Sequence, residues 1–293
     1  MKDNSTGILI LLGIVAIALF GGLKKPDGTN PDPIDNNPEQ VEVSVEQKIQ
    51  DTQNQIKDLK TQLQTEEDKK TQSQYKGIVT LSFINRSTDP AQEYVTIKVK
   101  ETATETISVT GWVIKSITTG TQVTIPKATY LFFTGMMNTE DNIFLSAGDI
   151  LYLNTGISPN GSSFKVNKCS GYLGQLQTFI PYLDNNCPLP KNEDLSSIPK
   201  LAINDACLDY IEGMSRCKIQ TTSLPANWST ECTNFIYNKI NYPSCINTHK
   251  NDSDFYKNEW RVYLKRSERL WKDRRETIIL YDNVGKIVDT LVY

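Results

Sequence analysis

Alternation of apolar and polar residues marks the chain from Gly77 onward as β-rich. Turn signals such as Ser146-Ala147-Gly148-Asp149 separate the runs of strand-forming residues. In the run that starts at Trp260, apolar residues take one face, whereas Arg261 and Lys265 take the other. The strand–turn spacing predicts a mainly β domain, a sandwich or a barrel. The predicted strands are 78–84, 94–99, 112–117, 122–126, 143–145, 150–153, 260–265, 277–281 and 287–293.

A different period precedes this region and predicts a helix over residues 45–76. Apolar residues recur in the alternating spacing of a heptad seam over about three heptads. The positions of this seam are Val45, Ile49, Thr52, Ile56, Leu59 and Leu63. The pattern predicts either a solvated stalk helix or a short coiled coil that would make the protein a homo-oligomer. Either would lift the rest of the chain away from a membrane.

The N-terminal residues predict a membrane anchor over residues 1–23. Residues 7–23 (GILILLGIVAIALFGGL) carry no charge and approach the length that a bilayer requires. Ala16-Ile17-Ala18 has the small-x-small form of a signal-peptide cleavage site, but the apolar run continues past it. We therefore expect an uncleaved transmembrane helix rather than a cleaved signal peptide. Residues 24–44 are rich in Pro, Asp and Asn and predict a disordered linker.

A cysteine-rich segment, residues 169–258, interrupts the β pattern. It contains all six cysteines, and none of them has C-x-x-C spacing, which argues against a zinc ribbon or a thioredoxin-like redox motif. Two apolar stripes, over residues 207–217 and 232–240, predict two helices, the second capped by Ser229. We expect three disulfides, which would restrict the unfolded state of a segment that has little apolar mass of its own.

If the two predicted helices form an antiparallel hairpin, they suggest one disulfide pairing among the fifteen that six cysteines allow. The predicted pairs are Cys217 with Cys232, Cys207 with Cys245, and Cys169 with Cys187. A metal site made of cysteines alone is the alternative. Because disulfides persist outside the cytosol, the cysteines place the C-terminal domain on the extracytoplasmic side, although the charges flanking the anchor give little orientation.

Several motifs in the β-rich region resemble the lamin tail domain family. They are Asp89-Pro90 with Glu93-Tyr94-Val95, Gly111–Ser116, Val123–Pro126, Leu145–Asp149 and the final Glu276–Asp289 hairpin. The resemblance covers about residues 77–168 and 259–293 and implies an immunoglobulin-like β-sandwich. Bacterial members of the family look like surface or secreted modules, and the resemblance brings no catalytic residues. The cysteine-rich insertion departs from the family pattern.

Composition narrows the function classes. Among 293 residues, 31 Lys and Arg oppose 34 Asp and Glu, so a formal net charge of −3 argues against a globally basic nucleic-acid binder. One histidine, His249, disfavours a multi-histidine metal site and most hydrolytic chemistry. The S-x-x-K pattern at Ser162–Lys165 and again at Ser197–Lys200 lacks the partner motifs of serine enzymes. We expect no catalytic residue, no metal, no cofactor and no enzymatic activity.

Residues 257–276 combine basic and aromatic residues, which suggests a site for an anionic polymer, such as nucleic acid, anionic lipid or a wall polymer. The candidate residues are Arg261, Lys265, Arg266, Arg269, Lys272, Arg274 and Arg275. We favour the simpler interpretation of an outer strand face and loop whose mixed charge serves solubility and edge protection.

The sequence therefore predicts a single-pass membrane protein of a bacterial cell envelope. An anchor, a linker and a stalk would present a lamin-tail-like β-sandwich with an inserted, disulfide-linked helical segment. Its expected role is structural, adhesive or binding, with a protein or an anionic surface polymer as partner. The alternative is binding of nucleic acid or another anionic polymer through residues 257–276. A cell-wall hydrolase is a third class and would require a cleft with converging carboxylates.

Overall fold

The computed structural model describes residues 38–197 and 205–293, with side chains from residue 46 to 196 and from 205 to 293. It shows a mixed, β-rich protein with few helices. The strands are β1 (Val79–Asn85), β2 (Tyr94–Val99), β3 (Ile107–Ser108), β4 (Val113–Ser116), β5 (Gln122–Thr124), β6 (Phe144–Leu145), β7 (Ile150–Asn154), β8 (Phe164–Asn167), β9 (Tyr256–Tyr263), β10 (Thr277–Tyr281) and β11 (Ile287–Val292). The α-helices are α1 (Pro38–Thr71), α2 (Asp205–Gly213), α3 (Thr230–Lys239) and α4 (Tyr242–His249). Short 3-10 helices span Ser170–Gln175, Pro190–Asn192 and Leu195–Ser197.

Two sheets enclose the first hydrophobic core. The larger sheet has the strand order β1-β2-β7-β9-β8, and the smaller has the order β11-β10-β4-β5. Neighbouring strands are antiparallel except β7 and β9, which are parallel. Apolar residues from both sheets form one buried cluster, with Ile97 and Leu153 from the larger sheet and Ile114 and Leu280 from the smaller. Alternation along each strand therefore buries one face of each sheet, as the sequence predicted.

A second core lies against the opposite face of the larger sheet. Because side chains alternate along a strand, Phe164 and Val166 of β8 and Tyr263 of β9 lie on the face that is not part of the first core. They belong to a separate buried cluster that includes Ile211 and Phe235 of the cysteine-rich insertion. The insertion supplies most of this second core itself and packs it on the outer face of the β8–β9 end of the sheet, so the expectation that the segment has little apolar mass of its own is wrong.

The predicted strands agree with the structure to within a few residues, but two strands were missed. Strand β3 has only two residues, too few for an alternating pattern to be recognised. Strand β8 follows the polar run Asn160–Ser163, and its residues are almost all buried because both faces are covered. The residues of β8 do alternate, as Phe164-Lys165-Val166-Asn167, but four residues after a polar run are too few for the alternation to be recognised.

The helix predicted over residues 45–76 is present with different limits. Helix α1 begins at Pro38, inside the segment that we predicted as disordered linker, so that prediction is wrong for residues 38–44. Proline is tolerated there because the first turn of a helix has no use for its missing N–H. The helix ends at Thr71, where Gln72 bridges to Ile287 of β11.

The predicted anchor, residues 1–23, and the first part of the predicted linker lie outside the described residues. No helix in the part of the chain that the structure describes is long and apolar enough to cross a bilayer. Contacts divide the chain into two compact units after Gln62, and the unit from Leu63 to Tyr293 contains the sheets.

The cysteine-rich insertion, predicted over residues 169–258, occupies residues 168–255. It lies between the end of β8 at Asn167 and the start of β9 at Tyr256. Its two predicted helices are present, and Ser229 caps the second by accepting a hydrogen bond from the Cys232 amide. A third helix, α4, was not predicted. It begins after Asn241, whose side chain accepts from the Ser244 amide, with a proline in its first turn.

All six cysteines form disulfides, but the predicted pairing is wrong. The observed pairs are Cys169–Cys245, Cys187–Cys217 and Cys207–Cys232. The prediction placed Cys217 at the end of a long helix, whereas α2 ends at Gly213 and Cys217 lies beyond it with a φ of 56°. Cys232 is left to pair with Cys207, and Cys245 reaches Cys169 from the unpredicted helix α4.

Candidate functional site

The segment between β9 and β10, residues 264–275, concentrates positive charge, and we call it the basic loop. Its six cations oppose only Glu268 and Asp273, which gives a net charge of +4 in a chain whose formal net charge is −3. Its cations are Lys265, Arg266, Arg269, Lys272, Arg274 and Arg275. The loop therefore carries most of the charge asymmetry that could attract an anionic partner.

The backbone of the basic loop is fixed at its first end. The amides of residues 264–266 donate to carbonyls of residues 154–156 at distances of 2.9–3.0 Å, which extends the path of the chain beyond β9. Lys265 and Arg275 adopt positive φ angles of 55° and 56°, a conformation that favours glycine. Both ends of the loop thus keep a charged side chain where glycine would be sterically easier.

A buried carboxylate anchors the middle of the basic loop. Glu93, which is fully buried, accepts hydrogen bonds from the amides of Leu270 and Trp271 at 2.7 and 3.3 Å. The hydroxyl of Thr155 also donates to Glu93, at 2.7 Å. Since Leu270 and Trp271 are buried in the first core, the loop is held from beneath by packing and by charge-assisted hydrogen bonds.

A second carboxylate holds the far end of the basic loop. Glu276 accepts from the Ser116 hydroxyl at 2.9 Å and from the Lys272 amide at 3.2 Å. Burial alone would raise the pKa of the Glu276 carboxyl, but these hydrogen bonds, together with those from Thr118, outweigh it and hold the pKa below 4.5. The carboxylate is therefore charged at neutral pH and fixes the loop against β4.

Most of the cationic side chains reach solvent. Lys265, Lys272, Arg274 and Arg275 are exposed, whereas Arg266 and Arg269 are partly buried. Arg269 is paired with Asp273, and this hydrogen bond, more than any other contact, raises the pKa of its guanidinium. An exposed cation from outside the loop, Arg86, donates to the Asp273 carbonyl at 2.5 Å. The basic loop thus combines a fixed backbone with four cationic side chains that are exposed to solvent.

Arg261, the remaining predicted candidate, does not belong to this surface, so its assignment as a polymer-binding residue is wrong. Its side chain is 2% exposed and bonds to Glu259 at 2.6 Å and to the Pro181 carbonyl at 2.5 Å. The guanidinium lies 4.5 Å from the ring centroid of Tyr152. Alternation correctly placed Arg261 on the outer face of its strand, but the insertion covers that face.

The aromatic residues of the predicted site are also unavailable for a ligand. Trp260, Tyr263 and Trp271 are at most 4% exposed and belong to the two cores. Stacking of exposed aromatic rings on bases is what gives many proteins their affinity for single-stranded nucleic acid. The basic loop therefore offers charge to a ligand, but these three rings offer no stacking surface.

Two residues that sequence reasoning missed are central to this site, Glu93 and Arg86. Glu93 precedes a strand in the sequence and Arg86 follows one, and neither has a local signal that would connect it to residues 264–275. Among the motifs that we discounted, Lys165 lies 5.2 Å from the ring centroid of Trp260 and 3.9 Å from Asp149. These contacts assign Lys165 to ion pairing and packing.

Comparison of the chain with known protein families and with curated proteins finds no match. The functional argument for this protein therefore depends on its own residues.

Proposed function

We propose that this protein is a non-enzymatic, membrane-anchored module of the cell envelope whose β-rich unit works on the extracytoplasmic side. The observation that supports this most strongly is the set of three disulfides, whose six cysteines are at most 3% exposed. Disulfides of this structural kind form and persist in oxidising compartments. The apolar run of residues 7–23 supports the membrane anchor.

For the β-rich unit we propose an immunoglobulin-like sandwich of the lamin tail type. Three features of the motifs that suggested this resemblance support the proposal. Gly111 has a φ of +87° and Trp112 after it is buried in the first core. The final hairpin pairs β10 with β11 through a turn in which the Asp282 amide donates to the Lys286 carbonyl. Its role would be structural, adhesive or binding.

Labelling of intact cells tests the location. Cells that produce the full chain are treated with a membrane-impermeant amine reagent, and labelled lysines are mapped by mass spectrometry. We expect exposed lysines such as Lys98 and Lys218 to react before lysis, while a cytoplasmic marker protein does not. Labelling that appears only after lysis would contradict the proposed location.

The second candidate function is binding of an anionic polymer through the basic loop. The specific observation in its favour is that four exposed cations project from a loop whose backbone is fixed by Glu93 and Glu276. A fixed loop loses little conformational entropy on binding. Because the neighbouring aromatic rings are buried, the ligand would be recognised by its repeated negative charge, as in a phosphate-bearing polymer, with no preference for single-stranded over double-stranded DNA.

Charge reversal tests this function. The variant Lys272→Glu/Arg274→Glu is compared with the matched variant Lys100→Glu/Lys250→Glu, which changes the net charge equally at exposed positions outside the loop. Binding to long-chain polyphosphate is measured over a series of salt concentrations. We expect the loop variant to reduce the slope of log K against log salt by about 2, since each phosphate contact contributes about 1. Equal weakening in both variants, or no binding by the unaltered chain at low salt, would reject this function.

A further inference from the structure

Helix α1 carries an apolar stripe that neither core uses. Ile49, Ile56, Leu59 and Leu63 are between 42% and 52% exposed. None of them belongs to the two buried clusters or to the apolar residues packed against those clusters. Removal of each of these side chains from water would be favourable, and within the part of the chain that the structure describes the stripe packs against neither core.

The width and the period of the stripe indicate what kind of partner fits it. The seam positions alternate in steps of three and four. Isoleucine occupies the a positions 49 and 56, leucine the d position 59 and the a position 63, and threonine the d position 52. A helix that packs on a globular core shows a wider apolar face, about three positions in seven. A helix that lies on a membrane surface carries Trp, Phe or Leu over a broad face beside Lys and Arg. A strict two-in-seven stripe is the seam of a coiled coil.

The polar residues of the helix are compatible with burial of this seam. The hydroxyl of Thr52, at a d position, donates a hydrogen bond to the Lys48 carbonyl at 2.7 Å. Its polar atom therefore has a partner within its own helix. Beyond Leu63 the seam positions are charged, and Glu66 is paired with Lys69 at 2.7 Å. The apolar seam therefore has a defined end.

The residues that flank the seam do not oppose pairing with an identical helix. In an in-register parallel pair, each g position faces the e position five residues later in the other helix. Lys48 would face Gln53, and Gln55 would face Lys60. Gln62 would face Glu67, so no like charges meet at these flanking positions. An identical helix therefore matches the apolar positions of the seam and brings no repulsion at the flanking positions.

We infer that α1 binds a second copy of itself and that the protein is a two-stranded coiled-coil dimer. This inference goes beyond the proposed function and does not depend on it. If the basic loop does bind a polymer, each particle would carry two such loops, and the second contact would form at a high effective concentration. A dimer would then bind a repeating polymer more tightly than its single loop does.

Sedimentation equilibrium of the full chain in a density-matched non-ionic detergent tests the dimer. Ile56→Glu places a charge in the seam, whereas Asn54→Glu introduces glutamate at an f position on the opposite side of the helix. We expect the unaltered chain to sediment as a dimer at micromolar concentrations, and Ile56→Glu to weaken association at least about tenfold, because it buries an unpaired charge. We expect Asn54→Glu to remain within about twofold of the unaltered chain.

Near-ultraviolet circular dichroism controls for folding, since α1 contains no aromatic residue and the signal reports on the rest of the protein. An unchanged spectrum with loss of the dimer would show that Ile56→Glu acts at the seam. A monomeric unaltered chain, or a dimer that Ile56→Glu leaves intact, would overturn the inference. Neither result bears on polyphosphate binding by a single loop, which the charge-reversal variants test separately.

Discussion

His249, the one histidine of the chain, links three parts of the insertion through its ring nitrogens. Nε2 lies 3.1 Å from a Glu193 carboxylate oxygen, and Nδ1 lies 2.9 Å from one of Asp252. Lys168 binds the same Asp252 oxygen at 2.8 Å and also Asp254. Burial by itself would lower the pKa of His249, but its hydrogen bonds with the two carboxylates outweigh that effect and raise the pKa above 6.5.

This arrangement predicts a pH-dependent contribution to stability. A histidine whose pKa is raised in the folded state stabilises that state fully below the unfolded pKa of about 6.5 and loses the effect as pH rises through the folded pKa. Urea unfolding of the unaltered chain and of His249→Gln, at a series of pH values from 6 to 9, measures the contribution. We expect the difference in unfolding free energy to be largest at pH 6 and to shrink toward pH 9. A difference that stays constant over this range would contradict the assignment.

Single residues also show where sequence reasoning ends. The outward position of Arg261 follows from alternation, yet its burial depends on an insertion that begins and ends elsewhere in the sequence. The role of Glu93 in fixing Leu270 and Trp271 depends on a contact across more than 170 positions. The local alternation of residues predicts which face of a strand a side chain occupies. The residues that contact it on that face are determined by long-range packing.

At the scale of elements, strand positions were predictable because each strand buries one face and therefore alternates. Helix limits were less predictable, and they decided the disulfide pairing. A stripe that included Cys217 suggested a helix longer than α2, and helix α4, which begins after Asn241, lies beyond the second predicted helix. The six cysteines were assigned correctly as disulfides, while their partners depended on these limits.

The disulfides allow a comparison of loop lengths within one segment. The Cys169–Cys245 bond closes a loop of 76 residues, and Cys207–Cys232 closes one of 25. All four cysteines are at most 3% exposed, so alanine replacement of either pair removes similar packing. In the chain-entropy account, loss of the longer loop costs about 1 kcal/mol more than loss of the shorter one.

Urea unfolding of Cys169→Ala/Cys245→Ala and of Cys207→Ala/Cys232→Ala checks this expectation. We expect both variants to lose about 3–5 kcal/mol of unfolding free energy, with the larger loss in the variant that lacks the 76-residue link. Peptide mapping without reduction should show the remaining two pairs unchanged in each variant. The reverse order of stabilities would indicate that packing around the shorter link, rather than chain entropy, dominates.

At the scale of the whole molecule, the sequence indicated a β-rich unit and an insertion with a different texture, and both are present. It did not indicate that one sheet serves two cores, because the residues of β8 and the outer face of β9 are too few to show a pattern of their own. Charge is also unevenly distributed along the chain. The basic loop has a net positive charge, and the rest of the chain is correspondingly acidic.

The place of the insertion in the larger sheet has a consequence for the history of the chain. It departs from the end of β8 and returns at the start of β9, and these strands are antiparallel neighbours, with Asn167 opposite Tyr256. A tight hairpin turn could join the same two points, so an ancestor without the insertion would have needed no change of topology. In such a shorter ancestor, the positions of Phe164, Val166 and Tyr263 would have been exposed to solvent. Relatives that lack the insertion should therefore carry polar side chains at these three positions.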